Sequence, residues 1–249
     1  MNGEVAQIRD IAIYTRHALK TKSKILYKPS KYENKIEFLF TENFKAKDVN
    51  EWYEHCIEKG LEDIKLSMPI AVKDPSLLAF SNTSQAGLVC YFKDNVVTYF
   101  IPKWESGDNG WNVIYREYKW DNPPKEKVQF EDNTEDFKNT LSKIATLADK
   151  IDFQNFANIF TKAFNILNGD NIENIRNAFY GQYFFELPET NKRLFYASYI
   201  SDVFGAMGSW NDSPHCYAAE KGLENEYNNL SSELLTQIRL ALLYSVNEW

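Results

Sequence analysis

Cysteine, histidine and methionine each occur only three times in 249 residues, glycine ten times and proline eight. The three cysteines, Cys56, Cys90 and Cys216, are odd in number and widely spaced. That excludes a disulfide framework and a paired C-x-x-C metal site. With only His17, His55 and His215, most histidine-based metal centres are excluded too, and neither a metal nor a cofactor is expected. Few glycines and prolines argue against a collagenous, low-complexity or disordered chain. No stretch approaches the roughly 18 consecutive apolar residues of a membrane span, and the N-terminus lacks the charged-then-apolar order of a signal peptide. A cytoplasmic protein without a membrane partner is the expectation. Gly-x-Ser-x-Gly, phosphate-loop and dinucleotide fingerprints are also missing, since Gly205-Ala-Met-Gly208 lacks the Gly, Lys and strand context they need.

What the chain does contain is apolar and aromatic material, 44% and 15% of residues, beside 25% charged side chains. That is enough to bury a sizeable core. Its net charge of −7 is unevenly laid out. Residues 1–125 hold 18 Lys and Arg against 17 Asp and Glu, whereas residues 126–249 hold 10 against 18, so the excess acid lies in the second half. Within the first half, Arg16, Lys20, Lys22, Lys24, Lys28, Lys31 and Lys35 face a single acid, Glu33. Such a run suits phosphate contact, making nucleic-acid binding through residues 16–35 a third-ranked reading. The alternation of Lys20, Lys22 and Lys24 fits better with a solvated edge strand whose charges oppose aggregation. Asn82, Asn211 and Asn229 head glycosylation-type triplets that are chance matches in an Asn-rich cytoplasmic chain.

Hydrophobic period sets the architecture. Val5, Ile8, Ile11, Ala12 and Leu19 recur at helical spacing over residues 3–19. Residues 35–41 alternate as a strand, and Asp48 is placed to cap a helix that runs through Lys59 and stops at Gly60. Apolar runs at 64–72, 77–80, 87–92, 96–102 and 111–120 follow, with turns expected at Asp94-Asn95 and Gly107 to Gly110. These predict an antiparallel sheet of four to six strands. Pro123-Pro124 is the best boundary, dividing a 1–125 sheet region with flanking helices from a 126–249 helical region, the two together reading as α+β. Helices are expected from Thr134 through Ala148, at 152–167, at 171–179, from Thr190 or Asn191 through Gly205, and at 220–247.

Two places carry candidate chemistry. The segment from Ser201 to His215 places Gly205, Gly208, Trp210, Asn211, Asp212 and Ser213 on what reads as a loop. It serves either as an active loop of a hydrolase or transferase, with His215 as base and Asp212 as its partner or Cys216 as nucleophile, or as a helix cap with Trp210 over the core. His55-Cys56 and His215-Cys216 supply zinc-type ligands, but neighbours on a helix differ in direction by about 100°, so a shared metal is not expected. Carboxylate pairs such as Glu131-Asp132 and Glu224 with Glu226 read as helix-start charges rather than a glycosidase pair. The second place is the aromatic cluster of Trp104, Trp111, Tyr115, Tyr118 and Trp120. Strand alternation divides it between a core face and an open one suited to protein contact.

The phrases from Trp111 to Tyr118, Asn122-Pro-Pro, Phe137 to Ala145 and Val203-Phe-Gly-Ala-Met-Gly-Ser-Trp-Asn-Asp212 resemble those of uncharacterised cytosolic proteins of low-GC bacteria, some of which serve as immunity partners of polymorphic toxins. The likeness spans residues 105–215, and its motifs carry no catalytic roles. The acid excess of the second half, the aromatic surplus and the missing catalytic motifs point to a non-enzymatic binding protein whose acidic helical half or aromatic strand face engages its partner. A partner protein is the leading expectation, a basic toxin domain being the type that an acidic surface would steer and complement. Its expected contacts are Trp104, Trp111, Tyr115, Trp120, Trp210 and Asp212.

Overall fold

The computed structural model describes residues 3–72, 78, 80–172 and 187–249. The architecture is α+β: a six-stranded mixed sheet in the N-terminal half and, among the described residues, seven α-helices lying mostly in the C-terminal half. The described residues divide into two compact units, one within Gly3–Met68 and Ser84–Val128, the other within Pro69–Thr83 and Gln129–Trp249.

The sheet unit begins with helix α1 (Gly3–Thr21), followed by strands β1 (Glu33–Leu39) and β2 (Lys45–Ala46), helix α2 (Val49–Glu58), and strands β3 (Leu61–Ser67), β4 (Gly87–Phe92), β5 (Val97–Gly107) and β6 (Gly110–Lys119). The spatial order is β2-β1-β6-β5-β4-β3. Adjacent hairpins are antiparallel, but β1 joins β6 in parallel, with Phe38 opposite Tyr115. The sheet is therefore mixed, correcting the antiparallel expectation: the hairpins close locally, whereas β1 finds its neighbour across more than 70 residues of chain, beyond the reach of any turn signal. Lys22 and Lys24 are not in an edge strand, because α1 runs to Thr21 and the chain after it makes no ladder.

Local signals behave as their chemistry requires. Asp48 Oδ1 accepts the Glu51 amide at 2.9 Å, and Glu51 Oε2 accepts the Lys47 amide at 2.7 Å, so α2 starts with a reciprocal cap and ends where Gly60 takes φ +86°. Asp94 and Asn95 both take positive φ in the β4–β5 turn, which suits their side chains. The β5–β6 hairpin needs only Asp108 and Asn109 between its strands, a tighter turn than the sequence indicated. β5 passes through Pro102 and continues to Gly107. Its pairing with β4 ends at Phe100, so the missing proline N–H costs no bond on that side.

One face of the sheet is a core. Phe38 stacks between Tyr115 at 4.6 Å and Trp52 of α2 at 4.8 Å, with Phe100 edge-on. All four rings are fully buried. Helix α1 seals the same face: Gln7 Oε1 accepts the Tyr115 hydroxyl at 2.7 Å, and Arg16 donates to the Ile64 carbonyl and pairs with Asp63.

The helical unit contains α3 (Thr134–Lys150), α4 (Gln154–Leu167), α5 (Glu189–Ser201), α6 (Ser213–Glu220) and α7 (Glu224–Asn247). Helix α3 packs on α4 and α7, and α5 packs on the same two. Phe137, Leu141, Ile144, Phe160, Leu194 and Leu234 are fully buried, as their helical spacing implies. Residues 173–179 of the expected 171–179 helix, and residues 77 and 79 of the 77–80 run, lie outside the described residues. Helix α5 ends at Ser201, four residues before Gly205. The expected loop through His215 gives way to helix at Ser213, with Pro214 in its first turn, where a proline costs no helical hydrogen bond.

Candidate functional site

The second face of the sheet has a different surface. Cross-strand pairing sets Val89 opposite Tyr99, Tyr91 opposite Val97, and Tyr99 opposite Tyr118. Val89, Tyr91 and Val97 form a small buried cluster, against which Tyr99 and Trp120 pack half-buried. The Tyr99 and Tyr118 rings stack 5.4 Å apart at an interplanar angle of 17°, and Trp120 meets Tyr99 edge-on at 6.4 Å. Tyr118 remains 45% exposed and Ile101 37%. The aromatic faces are thus fixed by the strands and by each other while still open to solvent.

The chain leaving β6 anchors one side of this array. The Trp120 amide donates to the Val97 carbonyl, Lys127 pairs with Asp63 at 3.1 Å and lies 5.1 Å over the Tyr91 ring, and Lys65 donates to the Val128 carbonyl. Burial pushes the Tyr91 hydroxyl above its ordinary range, with the Asp63 charge adding to it. Beside Trp120 lies a cavity of about 290 Å³ bordered by Gly87, Val89, Tyr99 and Ile101. A β-carbon at Gly87 would stand 2.7 Å from both Ile101 Cδ1 and the Phe100 carbonyl oxygen, so only glycine keeps the strand there.

The residues singled out in the sequence divide sharply. Trp104, Tyr115 and Trp210 are core groups at 7%, 0% and 0% exposure, which corrects their assignment as contact residues. Trp104 faces inward because it pairs with Val113, on the α2-covered side, where Trp111 meets it edge-on at 6.0 Å and is left partly exposed. Trp120 lies in the open array, joined there by Tyr99 and Tyr118. Tyr99 was missed by the sequence reading; its cross-strand position opposite Tyr118 is the signal that would have found it.

Trp210 fills the helical core between Phe156, Phe160 and Tyr227, all within 5.3 Å, and its indole N–H donates to Ser231 Oγ. The polar groups of its loop hold that loop. Asn211 bonds both the amide and the carbonyl of Gly205, and Asp212 Oδ2 accepts the Gly208 amide where Gly208 takes φ +80°. His215 and Cys216 sit on α6 rather than in the loop. The His215 ring packs edge-on to Tyr227 with its Nε2 3.6 Å from Glu224, while the Asp212 carboxylate is engaged with Gly208. Among the described residues no side-chain hydrogen bond joins His215 to Asp212, so the expected base and partner are not paired here.

The basic run is likewise dispersed. Arg16 is buried against Asp63, Lys35 pairs with Glu37, and Lys31 lies over Tyr32. Lys22 and Lys24 border a groove of about 960 Å³ whose other wall, from α2, carries Glu54 and Glu58. Carboxylates interleaved with lysines oppose the uniform positive field that phosphate backbones require.

No helix among the described residues is long and apolar enough to cross a membrane, and no group of three or more His, Cys, Asp and Glu there could hold a metal ion. Fold and site together define an α+β protein with a pre-arranged aromatic patch on an open sheet face. No protein-family model matches the chain, and no curated protein or solved structure matches it.

Proposed function

We propose that this is a non-enzymatic protein-binding protein of inhibitor or immunity type, acting in the cytoplasm, whose aromatic sheet face engages its partner. The observation that carries this reading is the mutually braced array of exposed Tyr118 and half-buried Tyr99 and Trp120. Tyrosine and tryptophan are the residues on which binding energy concentrates, because they offer large rigid areas at low entropic cost. The acid excess of residues 126–249 favours a basic partner, such as a toxin domain, by long-range attraction that speeds encounter. Three unpaired cysteines, two of them buried, suit a reducing compartment.

The test is affinity purification from the native host at low salt with two baits, the wild-type chain and the Tyr118→Ala/Trp120→Ala double variant. The expected result is a basic protein retained by the wild type and lost from the variant. Purified components should then re-form the complex at a fixed stoichiometry, with affinity weakened at least about tenfold by the double variant. Absence of any partner, or equal retention by both baits, overturns the reading.

A further inference from the structure

At the α2 end of the sheet, on the core side, lies a pocket of about 420 Å³ that the aromatic array does not reach. Its inner wall holds a carboxylate and a hydroxyl that the fold leaves half-used. Glu117 Oε2 accepts the Thr41 amide at 2.9 Å and the Thr41 hydroxyl at 3.1 Å. Glu117 Oε1 and Thr98 Oγ1 have no hydrogen-bond partner among the described residues, although the two side chains are only 6% and 5% exposed. Buried polar atoms are ordinarily satisfied, and a carboxylate oxygen more urgently than most. The rest of the lining is mixed: Lys59, Lys93 and Lys119 border the same pocket together with Asp94, Phe92, Val96 and Glu42, which holds Lys59 at 2.7 Å.

We propose that this pocket binds a small α-amino acid, its ammonium donating to Glu117 Oε1 and Thr98 Oγ1 and its carboxylate meeting the lysine wall. An ammonium supplies both the positive charge and the several N–H donors that a buried carboxylate beside a hydroxyl can use. A ligand bearing only negative charge would find Lys93 and Lys119 but be repelled by Glu117 and Asp94, and one bearing only positive charge would meet Glu117 but be repelled by Lys93 and Lys119. The volume holds a molecule of amino-acid size with room for a side chain, and the open mouth leaves side-chain choice to the pocket rim. No chemical step is implied; the pocket is a binding site, independent of the aromatic face.

The experiment is titration calorimetry of the full chain with each standard amino acid, with n-butylammonium chloride and with sodium butyrate, repeated on Glu117→Gln and Thr98→Val. The Glu117→Gln variant retains an oxygen for Thr41, the Thr98→Val change is close to isosteric, and near-ultraviolet circular dichroism verifies that each variant is folded. At least one amino acid should bind one-to-one with a Kd below about 1 mM, more tightly than n-butylammonium, and each variant should weaken it about tenfold or more. Butyrate should not bind. The proposal fails if no amino acid binds, if binding is unchanged in both variants, or if butyrate or n-butylammonium binds as well as the best amino acid. It fails equally if a crystal soaked in the amino acids shows only an ordered water on Glu117 Oε1.

Discussion

Tyr115 and Tyr118 stand three residues apart on one strand and occupy different worlds. Tyr115 is fully buried, stacked on Phe38, its hydroxyl spent on Gln7 of α1. Tyr118 is 45% exposed and stacked on Tyr99. Strand alternation explains the opposite directions, but the helices explain the difference in fate: α1 and α2 cover one face and turn its rings into core. On the other face, among the described residues of the sheet unit, the rings are braced by neighbouring strands and the chain after β6. The same residue type therefore contributes to stability on one side and supplies a contact surface on the other.

The largest expected effect breaks the covered side. Tyr115→Ala should cost about 3–5 kcal/mol, as other large-to-small core changes do, whereas Tyr118→Ala should cost less than about 1 kcal/mol. Urea denaturation of the two variants measures the gap; equal losses would mean that the open face is as much a core as the covered one. Tyr115→Phe isolates the hydroxyl and should lose about 1–2 kcal/mol, since Gln7 Oε1 would stay buried without its donor.

A smaller effect sharpens the comparison at Gly87. Alanine there meets the Phe100 carbonyl oxygen and Ile101 Cδ1 at 2.7 Å, so the β4–β5 pair must shift, costing about 1–3 kcal/mol. Because Ile101 belongs to the open face, this variant should also disturb the Tyr99–Tyr118 stack, seen as a changed near-ultraviolet dichroism. Asp48→Ala removes the cap of α2 on the covered side and should cost about 1 kcal/mol with the aromatic dichroism of the open face unchanged. A change in both signals would show that the faces are coupled.

Legibility in the sequence follows the range of the interaction. Asp48 and Gly60 bracket α2 because cap chemistry is local, and Asp94-Asn95 marks its turn for the same reason. The alternation over residues 111–120 also divided the aromatic rings between two faces. It could not say that Trp104 belongs with the buried set, since that depends on its pairing with Val113 across the hairpin. The parallel β1–β6 pairing was illegible because no turn joins those strands. Lys20, Lys22 and Lys24 misled because three alternating charges mimic a strand while also fitting the frayed end of a helix and the coil beyond it. The α6 start was readable from Ser213-Pro214, yet the glycines before it outweighed that signal. The half-used Glu117 was invisible, because an unpaired oxygen is a property of the assembled neighbours and not of any spacing.

The smallest expected effect lies within β1, where two carboxylates four residues apart titrate in opposite senses. Burial pushes Glu33 up, and the Ser30 amide and Tyr27 hydroxyl that donate to it only partly offset this, leaving it above its ordinary value of 4.5. Burial also acts on Glu37, but ammonium groups of Lys35 and Lys45, each 2.7 Å away, outweigh it and hold the carboxyl below 4.5. By linkage, the contribution of Glu37 to stability is fully present above pH 4.5 and is lost as pH falls through its folded value. That of Glu33 has the reverse sign: it is fully present below pH 4.5 and is lost as pH rises through its folded value. Carboxyl-carbon NMR titration should place the two midpoints on opposite sides of 4.5, and Glu37→Gln should flatten the fall in stability on acidification while Glu33→Gln should not. Both midpoints above 4.5 would mean that the lysine pair on the open face does not outweigh burial, and that this face is less solvent-like than its exposed tyrosine indicates, whereas both below would mean that the donors to Glu33 outweigh its burial.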